Sequence, residues 1–199
     1  MAITADQVKK LRDATGAGMM ECKAALTEAN GNIEEATTIL RKRGLAQATK
    51  KMGRSTNEGI IGSYIHMGGK IGVLVEVNCE SDFVARTEDF QGLAKEIAMH
   101  IAAASPQYVR REEVPADILE RERSIYRSQM EGQNKPAAVI EKIVEGKLNS
   151  FYEQVCLLDQ PSIRDPKVTI GQVVQQAIAK MGENIAIPRF VRFKLGESA

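Results

Sequence analysis

Between residues 70 and 102 the hydrophobic pattern changes period almost without a gap, and that change sets the framework of the chain. Val73, Val75, Val77 and Cys79 alternate with Leu74, Glu76 and Asn78, a two-residue repeat rich in β-branched side chains that an extended strand presents on one face. Phe90, Leu93, Ala94, Ile97, Ala98, Ile101 and Ala102 then recur at steps of three and four, one face of an α-helix, with Thr87 ahead of them as a cap. The link is Asn78-Cys79-Glu80-Ser81-Asp82-Phe83-Val84-Ala85-Arg86. A turn leaving a strand that a packed scaffold holds is a place where binding side chains are positioned. Phe83 has two readings from residue chemistry. It either tucks under the following helix as core, with Asp82 capping the turn, or stands out beside Asp82 as a contact.

Neighbouring segments extend the sheet. Ile61, Ser63, Ile65 and Met67 alternate from Glu58 onward, and Gly68-Gly69 supplies the left-handed conformers of a tight hairpin, so 58–67 pairs with 70–79. Ile185, Ile187, Val191, Phe193 and Leu195 alternate as a closing strand, where Pro188, which has no N–H to give, argues for the sheet edge. Pro106 ends the helix after the turn, and His100 within that helix reads as packing. Pro115 opens a highly charged helical region over about 115–147, whose thin apolar line through Ile118 and Ile125 predicts a partly solvated helix. After the break at Lys135-Pro136, Val139, Ile140, Ile143 and Val144 mark another helix, and Phe151 to Pro161 closes a further short one. Val173, Val174, Ala177 and Ile178 form the last helical stripe.

The N-terminal part is helical. Thr4 and Gln7 have the spacing of a capping box, predicting a helix from Ala5 to about Thr15 that stops at Gly16. A second helix runs from about Met20 to Ala29, Asn30-Gly31 turns, and Asn32 caps a third that ends near Arg43 and Gly44. Residues 1–45 are therefore read as a three-helix module that resembles a ubiquitin-associated domain. Residues 46–57, with Lys50, Lys51 and Arg54, are read as a basic linker, and 58–199 as the core domain. The fold class is α+β: a small helical module, then a three-stranded antiparallel sheet packed with helices. Met19 and Met20, beside the Gly16-Ala17-Gly18 joint, serve either as core filler or as an adaptable contact.

Composition removes several function classes. Charged residues make up 27% of the chain and nearly cancel at +1, so no field of one sign draws in a nucleic-acid backbone. Three cysteines without a CxxC pair, and two histidines distant from them in sequence, suggest neither a disulfide framework nor a zinc site. There is no phosphate-binding GxxxxGK(S/T) loop and no nucleophile in a recognised motif, which argues against an enzyme and against a cofactor. No apolar run reaches membrane-spanning length and no secretory signal opens the chain, so a cytoplasmic protein is expected. The basic linker leaves one alternative function, a ribosome- or RNA-associated adaptor.

The stretch from Asn78 to Arg86 resembles a signature of the bacterial elongation factor Ts family, Asn-Cys-x-(Thr/Ser)-Asp-Phe-Val-Ala-(Lys/Arg). Val8 to Lys23 is similar to the family's other signature, and similarity continues through Gly182-Glu183-Asn184-Ile185. The resemblance implies a nucleotide exchange factor that binds the GTPase elongation factor Tu in its GDP form and promotes GDP release. Asp82 and Phe83 would enter beside the partner's magnesium and phosphate site, with Ser81 and Val84 shaping the turn. Val8, Arg12, Met19 and Met20 would dock on the same GTPase domain. His66, in Gly62-Ser63-Tyr64-Ile65-His66, either reaches the partner's far domain or is a surface residue at the hairpin end. Longer members carry two sheet units and a coiled-coil insertion, whereas this chain has one unit and stops at Ala199, as a short form would. A homodimer giving a two-to-two complex with the GTPase is therefore expected, without direct nucleic-acid or membrane contact.

Overall fold

The computed structural model describes residues 3–131 and 135–197. These residues fall into two compact units. One takes in the chain through Gly59 together with Asn78–Thr87 and Val174–Ala186; the other is built from Ile60–Val77, Glu88–Val173 and the chain from Ile187.

The first unit contains the helical module, α1 (Ala5–Thr15), α2 (Met19–Glu28) and α3 (Ile33–Lys51). The capping box forms as read. Gln7 N donates to Thr4 Oγ1 at 3.3 Å, and Thr4 N donates to Gln7 Oε1 at 3.0 Å. Gly16 ends α1 at φ 69, a left-handed conformation that glycine takes without steric penalty. At the start of α3, Asn32 Oδ1 accepts from the amides of Glu34 and Glu35. Val8, Leu11, Cys22, Ala25, Leu26, Ala29, Ala36 and Leu40 close the core between the three helices. Leu11 and Leu26 are fully buried there, each contributing about 2 kcal/mol.

Gly44 does not stop α3, which continues to Lys51 and so takes residues 46–51 from the expected linker into the helix. A Cβ on Gly44 would lie 3.1 Å from the Cβ of Ala179 in α8 (Ile170–Met181), so the glycine allows close approach of two helices instead of ending one. The extension is used: Lys51 Nζ donates to the carbonyl of Gly182, just beyond the end of α8, at 2.6 Å. A cation there faces the negative end of a helix dipole.

The sheet has the order β1-β2-β3, from β1 (Glu58–Ile65), β2 (Ile71–Cys79) and β3 (Phe190–Lys194), and is antiparallel. Ile71 lies opposite Lys194, and Leu74 opposite Val191. β3 is an edge strand, as expected, but it begins at Phe190, so Pro188 lies ahead of it and not within it. The hairpin closes at His66 N donating to the Ile71 carbonyl, 2.9 Å, so its loop is Met67 to Lys70, slightly longer than expected. Gly68 and Gly69 take φ 87 and 69 within it.

Alternation along β2 puts Val73, Val75, Val77 and Cys79 inside. At Gly62 the strand comes close to a helix: a Cβ there would sit 3.2 Å from Ala94 of α5 (Glu88–Ala104) and 3.3 Å from Val75. The period-3.6 face of α5 is buried, from Phe90 through Ala102. His100 is buried within it, as read from the sequence.

In the second unit α6 (Ala116–Ser128) lies along α7 (Ala137–Val155). Of the stretch expected as a separate short helix, Phe151 to Val155 are the last turn of α7, and only Leu157–Asp159 forms a short helix of its own, a single 3-10 turn. Phe151 to Val155 continue α7 because nothing between Ala137 and Val155 breaks the helix, Gly146 being tolerated inside it. α6 buries no residue fully, which fits its thin apolar line. Arg127 instead forks onto Glu141 through Nε and Nη2, at 2.9 and 3.0 Å. Beside the end of α7, Val114, Val155 and Cys156 form a small core with Tyr108, Phe151 and Tyr152 around it.

Candidate functional site

The strand-to-helix link folds as a single helical turn, α4 (Asp82–Ala85), and everything around it holds its first residues still. A four-residue helix is far too short to be stable alone, because nucleation fixes several residues for almost no internal hydrogen bonds. Its stability comes from its cap. Ser81 has extended backbone angles, and its hydroxyl accepts from Val84 N. At the far end Thr87 Oγ1 donates to the Val84 carbonyl at 2.7 Å.

One residue just before Ser81 is buried and directs the chain into the turn. The Cys79 thiol donates to the Ser81 carbonyl at 3.1 Å. Burial, and then the negative charge of Glu183, push that thiol above its usual range, so it stays protonated and able to donate.

The other support comes from Gly182-Glu183-Asn184. Glu183 Oε2 accepts from the amides of Glu80 (3.1 Å) and Ser81 (3.0 Å), while Oε1 accepts the Ser81 hydroxyl at 2.6 Å. Asn184 N donates to Glu80 Oε1 at 2.6 Å, and its Nδ2 donates to the Arg54 carbonyl at 2.8 Å. Arg54 in turn lies 3.6 Å from the Glu80 carboxylate. Asn78 and Ala186 form a bridge at the base.

On this pinned base the four sequence-selected residues separate by role. Ser81 and Val84 are half-buried and set the turn. Asp82 pairs with Arg86 one helical turn on, at 2.6 Å, and stays partly open to solvent. Phe83 is 81% exposed. Of its two readings, the inward-packed ring is not what the fold adopts.

Arg12, Met19 and Met20 are exposed, Met20 over 75% of its surface, so the two methionines are not core filler. Val8 differs: it is 6% exposed and belongs to the core of the helical module, so its side chain does not form part of a free surface. Its position follows from the α1 apolar line that it shares with Leu11. His66 is exposed at the hairpin end, with Nδ1 3.0 Å from the Tyr64 hydroxyl.

Glu183 and Asn184 were not singled out by chemistry in the sequence. The local signal there is Gly182, which leaves α8 at φ 79; nothing near it indicates that Glu183 meets a segment about a hundred residues earlier. Among the described residues no cluster of His, Cys, Asp and Glu could hold a metal ion, and no helix is long and apolar enough to cross a membrane.

The family model described as Elongation factor TS matches residues 1–197. Elongation factor Ts of Fervidobacterium nodosum is 62% identical over 99% of this chain and 100% of its own length. Elongation factor Ts of Geobacter sulfurreducens is 60% identical over 99% of this chain and 91% of its own, and that of Solibacter usitatus is 55% identical over 98% and 92%.

Proposed function

Because the chain belongs to the elongation factor Ts family and is thereby a translation elongation factor, we propose that it binds elongation factor Tu in its GDP form and promotes GDP release through the Asp82-Phe83 turn. The observation that carries this reading is the large exposure of Phe83 on a turn whose backbone is fixed by Ser81 and Glu183. Displaying an aromatic ring to water forgoes the burial that its apolar surface would gain, and such a ring is suited to filling a pocket on another protein.

Exchange needs no bond to be made or broken. A factor that prefers the empty partner lowers nucleotide affinity by the same free energy, because the two binding equilibria are linked. Magnesium neutralises phosphate charge and relies on its supporting residues for position, so a ring and a carboxylate that displace that support weaken the hold on GDP. Phe83 supplies the bulk and Asp82 the charge. Arg12, Met19 and Met20 offer a second contact, in which the flexible thioethers adapt to the partner; His66 offers another.

The chain acts as a homodimer in this reading, in a two-to-two complex. Leu74 lies opposite Val191 and Gly72 opposite Phe193, and a Cβ on Gly72 would lie 3.1 Å from Ile65 Cδ1. Ile61, Ile65, Leu74, Val191 and Phe193 are all exposed, which gives the outer sheet face an apolar patch of the kind that marks an interface.

The direct test is a release assay. Elongation factor Tu loaded with a fluorescent GDP and chased with excess unlabelled nucleotide should lose its signal faster as this protein is added. A release rate independent of the added protein contradicts the proposal.

A further inference from the structure

We infer that Glu183 is a positioning residue for exchange: its carboxylate sets the hydrogen-bonding direction of Ser81 and so holds α4 in the conformation that presents Phe83. The inference rests on the exchange reading above and adds a residue from the other end of the chain to it.

The geometry is a relay. Glu183 Oε1 accepts the hydrogen bond that the Ser81 hydroxyl donates, at 2.6 Å. With its hydrogen committed there, the Ser81 oxygen turns a lone pair toward Val84 N, 3.5 Å away, which is the cap of α4. The second oxygen meanwhile holds two consecutive amides, those of Glu80 and Ser81. Three donors on one carboxylate, none of them charged, fix both the backbone entering the turn and the side chain that caps it.

Removing the carboxylate leaves the fold's cores untouched, since neither Phe83 nor the capping bonds belong to them. It releases the cap. A turn of four residues then samples open conformations, and only a fraction of molecules holds Phe83 ready. A binding site populated only part of the time raises the apparent dissociation constant by the inverse of that fraction, while partner at saturation still selects the ready state.

The experiment has two arms. Hydrogen exchange by NMR reads the latch with no partner present: the Glu80 and Ser81 amides should be protected in the wild type and exchange about tenfold faster or more in Glu183→Ala. Equal protection in the variant overturns the inference. In GDP release, Glu183→Ala should raise the half-saturating concentration of the factor about three- to tenfold with little change in limiting rate. Ser81→Ala should shift it in the same direction, and Ser81→Thr, which keeps the hydroxyl, should restore it. A Glu183→Ala titration that overlays the wild type overturns the inference even where the release assay itself works. If Glu183→Ala does not fold, Ser81→Ala against Ser81→Thr decides alone, equal curves overturning it. A failure of the exchange reading looks different: no release with any variant, while the amide protection still depends on Glu183.

Discussion

The ring of His100 in α5 meets the carboxamide of Gln160 at 2.9 Å, with both side chains buried. Gln160 Nε2 faces two carbonyls, those of Gln154 at 2.7 Å and Ala104 at 3.4 Å. Its oxygen therefore turns to the ring, and His100 Nε2 is the nitrogen that carries the proton. Nδ1 is buried without a hydrogen-bond partner among the described residues.

Acid should therefore destabilise the second unit. A second proton must go to Nδ1, and burial lowers the His100 pKa from its ordinary 6.5, the hydrogen bond to Gln160 and the charge of Glu96 acting in the opposite sense. Below 6.5 the unfolded chain takes up a proton that the folded chain resists. Stability thus rises with pH through this window, by no more than about 1.4 kcal/mol per pH unit, and levels off below the folded value. Thermal midpoints measured between pH 7.5 and 5 should fall with acid, and the slope should be shallower in His100→Gln. Equal slopes in the two proteins contradict the assignment.

The cysteines should be silent in the native protein. Cys22, Cys79 and Cys156 are all buried and free, and burial pushes the Cys156 thiol up to about 11. The thiolate is the reactive form, so a chromogenic disulfide reagent at pH 8 should titrate none of the three until denaturant is added. Rapid modification of one thiol in the folded state would contradict this.

Self-association should depend on the outer sheet face. A carboxylate at Phe193, opposite Gly72 and exposed in the single chain, would be desolvated in a joined face, at a penalty of several kcal/mol. Light scattering at micromolar concentration should give a dimer mass for the wild type and a monomer mass for Phe193→Asp, with similar circular dichroism. A monomeric wild type, or a Phe193→Asp dimer of undiminished stability, counts against the dimer.

Signals confined to a few neighbouring residues are legible in the sequence. Thr4 and Gln7, Asn32 before Glu34 and Glu35, the alternation from Val73 to Cys79 and the face from Phe90 to Ala102 are each determined by local backbone geometry. Gly44 was misleading because its use is not local: it makes room for Ala179, and a glycine tolerated for packing looks in sequence like one that ends a helix. The break expected before Phe151 failed for the opposite reason, since α7 simply continues.

The site divides in the same way. Asp82 and Phe83 stand out as a pair in sequence, but residue type alone favours an inward ring, and its exposure follows from a turn held by Glu183, 102 positions beyond Ser81. Val8 shows the reverse. Its neighbours Arg12, Met19 and Met20 are exposed, while its place on the α1 apolar line puts it in the core.

Replacing Phe83 by Ala tests the central claim most directly, because an exposed ring can be removed with a stability change within about 0.5 kcal/mol. Release of fluorescent GDP from elongation factor Tu should be followed at saturating concentrations of the wild type and of Phe83→Ala. An anchor worth roughly 2 kcal/mol or more in the transition to the empty state predicts a limiting rate lower by about thirtyfold. A folded Phe83→Ala protein that releases GDP as fast as the wild type would contradict it.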